Sequence, residues 1–80
     1  MNITEGETRT LNCTKEFYDG RDRKWTRKDG GTVFNNRRVL TEDAQLQIID
    51  ASVVDAGVYI CKNAPQINHI FIVRIQGRSM

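Results

Sequence analysis

Apolar residues along this chain recur at alternate positions, in short runs separated by turn residues. Nowhere do they hold the i, i+3, i+4, i+7 spacing over ten or more positions, so the pattern predicts strands and excludes long helices. "TRTLNCT" (8–14) puts Leu11 and Cys13 on one face, and "RKWTRK" (23–28) offers Trp25 as its only large apolar residue before the turn "DGG" (29–31). "TVF" (32–34) reads as a short strand before "NN", and "RRVLT" (37–41) as another. "AQLQIID" (44–50) alternates, with Leu46 and Ile48 inward and Gln45 and Gln47 outward, and "VYICKN" (58–63) and "HIFIVRI" (69–75) follow. "NIT" (2–4) could add an edge strand before "EGE". Seven or eight short strands at this spacing predict an all-β, two-sheet antiparallel sandwich. No repeat, low-complexity tract or linker interrupts it, and Pro65 falls between the last two strands, where a lost backbone donor does no harm.

Length sharpens the picture. The chain has 80 residues, enough for one domain over 1–80. A domain this small buries only roughly 60% of its unfolded surface, and Cys13 and Cys61 are the candidates to staple it. Met1 runs directly into strand-like sequence with no signal segment, which reads as a piece cut from a larger protein. No apolar run reaches the ~18 residues of a membrane span, so direct membrane insertion by this segment is not expected.

Charge changes the picture through its distribution. The net charge of +2 is too small to argue for a nucleic-acid partner. Residues 21–38, however, carry seven cations against Asp22 and Asp29, a balance of +5, whereas residues 39–61 carry four acids and no Lys or Arg. The chain is electrically two-sided.

In its order of Cys13, Trp25, Leu46 and then "DAGVYIC" ending at Cys61, the sequence resembles the immunoglobulin superfamily over essentially its whole length. The resemblance implies that Cys13 and Cys61 sit on facing strands of opposite sheets, bridged through the core, with Trp25 packed on the bridge. It implies that Tyr59 turns inward and that its hydroxyl reaches back to the preceding corner, with Gly57 at the tight bend entering that strand. It also implies an arginine partner for Asp55; Arg38 is the better match and Arg37 the alternative. Arg9 stands where such families usually place an apolar residue, so either the strand end frays and Arg9 snorkels out or the first sheet is loose. The opening strand is largely missing, and the span from Trp25 to Leu46 leaves room for one brief strand beyond the seven-strand core. The missing strand fits truncation, and the short span favours the I-set type over a full variable domain.

No enzymatic chemistry stands out. His69, placed at a loop-to-strand boundary, reads as an ordinary surface histidine, and a bridged cysteine pair leaves no thiol nucleophile. No cofactor is expected. The resemblance implies recognition or adhesion in a receptor, adhesion or matrix protein, and Asn2-Ile3-Thr4 and Asn12-Cys13-Thr14 fit the N-glycan acceptor pattern of an extracellular chain. The rival is a structural module of an intracellular, muscle-type filament protein. Alternation turns Ile60, Ile70 and Ile72 outward once Tyr59, Cys61, Phe71, Val73 and Ile75 face the core. Their rim would be Lys24, Lys28, Lys62 and Arg74, a candidate face for a homophilic or heterophilic protein partner. A competing candidate is heparan sulfate on the basic run Arg21, Arg23, Lys24, Arg27 and Lys28.

Overall fold

A computed structural model describes residues 1–13, 23–63 and 67–77. Among these residues seven strands form two facing sheets: β1 (Asn2–Thr4), β2 (Arg9–Leu11), β3 (Lys24–Arg27), β4 (Arg38–Leu40), β5 (Leu46–Ile48), β6 (Gly57–Asn63) and β7 (Ile67–Gln76). The four-stranded sheet runs β1-β7-β6-β3 and the three-stranded sheet β2-β5-β4. One pairing departs from the antiparallel pattern. β1 lies parallel to β7, Asn2 opposite Arg74 and Ile3 opposite Ile75.

Between the sheets, Ile3, Leu11, Cys13, Trp25, Leu46, Ile48, Tyr59, Cys61 and Val73 form one buried cluster, with Phe71 and Ile75 packed against it. Each supplies the inward half of a period-two alternation, which is why such short strands suffice. Cys61 on β6 is disulfide-bonded to Cys13 just past β2, with Cα atoms 6.4 Å apart, so the bond ties one sheet to the other. Trp25 lies opposite Cys61 in the register, its ring 5.6 Å from that of Phe71. Its indole N–H crosses to the Ala44 carbonyl at 3.0 Å.

The corner before β6 is closed by charge. Asp55, fully buried, ends the short 3-10 turn Val53–Asp55. Its carboxylate accepts from Arg37 at 2.7 and 3.1 Å and from Arg38 at 3.1 Å, and also from the Ser52 N–H at 2.8 Å. The two arginines offered as alternatives therefore share one acid. The bond to Asp55 raises the pKa of Arg37. Gly57 follows with φ 150°, and a Cβ there would sit 2.6 Å from Arg27 Nη2. That guanidinium lies over the Tyr59 ring and donates to the Ala56 carbonyl.

Three local expectations need correction. Residues 32–34 form no strand, and between β3 and β5 the described chain holds β4 alone. The carbonyls a strand would have used are taken by Arg38, which donates to Val33 O at 2.8 Å and Thr32 O at 3.2 Å. Gln45 is buried, not outward: its amide accepts from Cys13 N–H at 2.7 Å and donates to Cys13 O at 3.2 Å. It replaces the ladder bonds that stop at Leu11 and Leu46. His69 lies within β7, half-buried and opposite Cys61, rather than at a strand boundary. Arg9 stays in its strand opposite Ile48 while its head group turns out to Glu7, 3.6 Å away, so it snorkels out without the fraying expected alongside.

Candidate protein-binding face

Register fixes what the outer surface of the four-stranded sheet presents. With Tyr59, Cys61 and Val73 buried, the intervening side chains point away from the core. Across β3, β6 and β7 they form rows. Thr26, Ile60 and Ile70 make one, and Lys24, Lys62 and Asn68 the next. Val58 and Ile72 stand opposite each other on the other side of the isoleucine row, beside Lys28, whose N–H donates to Val58 O. Arg74 and Asn2 close the β1 edge.

The centre of this face is apolar and wet. Ile70 is 64% and Ile72 53% exposed, while Ile60 between them and β3 is half-buried. Lys24, Lys28, Lys62 and Arg74 are all exposed around it. Among the described residues none of these four meets a carboxylate within ion-pair distance. Lys24 and Lys62 stand directly opposite across two strands. A like-charged pair in that position is destabilising by roughly 0.2–1 kcal/mol.

The described cations of the basic run, Arg23, Lys24, Arg27 and Lys28, divide between two settings. Arg23 turns to the Asp43 and Ala44 carbonyls at 3.0 and 3.1 Å. Arg27 is held by Asp29, Ala56 and Tyr59. Lys24 and Lys28 stay on the sheet face, and Arg21 lies outside the described residues. Beside β3, the end strand of its sheet among the described residues, an open groove of about 520 Å³ is lined by Trp25, Thr26, Val33 and Phe34 among others. Thr26 belongs to both groove and face, so the two surfaces are continuous. Alternation alone did not reveal the groove, because it arises from the irregular path of residues 30–34.

The two acceptor asparagines lie on different surfaces. Asn2 is exposed on edge strand β1, beside Arg74. Asn12 is exposed next to buried Cys13, on the side of the three-stranded sheet; Thr14 of its triplet lies outside the described residues. Among the described residues, no group of three or more His, Cys, Asp or Glu could hold a metal ion, and no helix is long and apolar enough to cross a membrane.

Comparison with known proteins gives three kinds of match. The family model described as "Immunoglobulin domain" matches residues 2–63. Human Immunoglobulin superfamily member 10 is 31% identical over 71 residues, covering 84% of this chain but only 3% of that protein. Among solved structures, the N-terminal four Ig domains of Dscam1 isoform 8.4 superpose with TM-score 0.77 at 23% identity, over 98% of this chain and 22% of that one. A chain from the structure of Dpr1 IG1 bound to DIP-eta IG1 superposes with TM-score 0.71 at 26% identity, over 94% of this chain and 86% of that one.

Proposed function

The chain belongs to the immunoglobulin domain family, and from that premise we propose that it is an extracellular recognition module of a longer cell-surface or matrix protein. It binds a protein partner non-covalently through the outer face of β1-β7-β6-β3. The observation that carries this reading is the exposure of Ile70 and Ile72 at the centre of a sheet face whose charged residues are all cations. The water-facing side of an antiparallel sheet ordinarily alternates to polar residues. An apolar centre inside a polar rim is the composition of a protein interface.

The rim also selects the partner's chemistry. A second copy docked face to face about a two-fold axis would set lysines against lysines or Arg74, which opposes association. The complement is a different protein surface, apolar at its centre and acidic around it. Dpr1 IG1, bound to a differently named domain, offers a precedent for pairing between unlike immunoglobulin domains. The disulfide favours an oxidising, extracellular setting. Domains of this family are generally not enzymes, and the work assigned to this one is binding.

The test uses the secreted domain as a tetramer, whose avidity raises weak contacts to a measurable level, on an array of purified ectodomains. We expect a partner whose retention falls about tenfold or more, ~1.4 kcal/mol, with Ile70→Lys. Retention should also fall with Lys62→Glu and with added salt, and should not change with Thr10→Lys on the other sheet. If every ectodomain held by the wild type is held equally by Ile70→Lys, the reading is wrong.

A further inference from the structure

The register that places Asn2 opposite Arg74 gives one of the two acceptor triplets a position on the candidate face. Asn2 is exposed, and its neighbour Ile3 is fully buried, so alternation points the Asn2 side chain to the same side as Arg74, Ile72 and Ile70. Adjacent strands lie about 4.8 Å apart and two residues of strand span about 6.6 Å, which puts Asn2 and Ile72 roughly 8 Å apart at their Cα atoms. Asn12 has no such relation, because it flanks β2 at the edge of the opposite sheet.

We infer that Asn2 is an N-glycan attachment site whose oligosaccharide shields the Ile72 and Arg74 end of the binding face, whereas a glycan on Asn12 leaves that face open. The inference rests on the reading of this face as the docking surface and supplies its regulation: Asn2 occupancy sets how much of the face a partner reaches. In the installing step Asn2 Nδ2 attacks the anomeric carbon of a lipid-linked oligosaccharide. The new N–C bond replaces the anomeric C–O bond to pyrophosphate, lipid pyrophosphate departs, and the amide proton passes to the medium. No oxidant or reductant is needed. The attached glycan is bulky and hydrophilic, and exposed Asn2 lies on β1, the end strand of its sheet among the described residues.

The experiment needs no partner, so its failure is separable from failure of the docking reading. The domain is secreted from mammalian cells as wild type, Asn2→Gln and Asn12→Gln, occupancy is read by intact mass, and hydroxyl-radical footprinting measures oxidation at Ile70, Ile72 and Arg74. Oxidation of Ile72 and Arg74 is expected to rise about threefold or more in Asn2→Gln, as the bulky shield is removed, and to be unchanged in Asn12→Gln. Enzymatic removal of glycans from folded wild-type protein should reproduce the rise, which keeps the test decisive if Asn2→Gln is poorly secreted. An unoccupied Asn2, or an occupied Asn2 with no change at Ile72 on removal of its glycan, overturns the inference.

Discussion

The Tyr59 hydroxyl donates to the Asp55 carbonyl at 2.7 Å, and both residues are fully buried. The same oxygen accepts from Arg27 at 3.0 Å and Arg38 at 3.3 Å. One phenol thus joins the corner, β3 and β4. Tyr59→Phe keeps the ring and strips all three bonds, leaving a buried carbonyl unmet. Its expected cost is about 1–3 kcal/mol, read as a lower urea midpoint at unchanged slope.

The two arginines on Asp55 predict an ordered series. Asp55→Ala leaves Arg38 buried without its carboxylate and is expected to cost about 3–5 kcal/mol. Arg38→Ala should approach that loss, because it also frees the Thr32, Val33 and Val54 carbonyls. Arg37→Ala should cost the least of the three, since its side chain is 26% exposed and Arg38 still holds the acid. Urea unfolding of the three variants checks the order.

Stability should fall at both pH extremes. Burial pushes the Tyr59 phenol up, so its contribution is present below the unfolded value of about 10 and is lost as pH rises through the folded one. The Thr4 N–H holds the Glu7 carboxyl below its usual range, and the Gly31 N–H does the same for Asp29. Their contributions are present above about pH 4 and are lost as pH falls through the depressed values. Thermal melts across pH should therefore show a plateau between these limits. Tyr59→Phe should flatten the alkaline arm and Glu7→Gln the acid one.

The bridge should dominate the ledger of so small a domain. Closing 48 residues of sequence separation is worth about 4 kcal/mol in the chain-entropy model. That is comparable with the whole net stability, about 4–12 kcal/mol at 0.05–0.15 kcal/mol per residue. Reduction under native buffer should lower the urea midpoint by about a third or more, measured by tryptophan fluorescence of Trp25.

What could be read beforehand followed period-two alternation. The pattern that buries Tyr59, Cys61 and Val73 necessarily turns Ile60, Ile70 and Ile72 outward, so face and core were legible together. What escaped depended on side chains standing in for backbone. Gln45 reads as an outward strand residue until its amide is seen replacing a ladder partner for Cys13. Residues 32–34 carry strand propensity, but the Arg38 guanidinium claims their carbonyls. The parallel course of β1 was also hidden, because alternation gives side-chain direction and not strand sense.

The central claim is that the exposed isoleucines serve binding and not folding, and Ile72→Lys tests it with two readouts on one protein. The account predicts a melting temperature within the small range of a surface substitution, about ±0.5 kcal/mol, together with loss of the ectodomain retained by the wild type. Retention of that ectodomain at wild-type strength by a folded Ile72→Lys domain would contradict it.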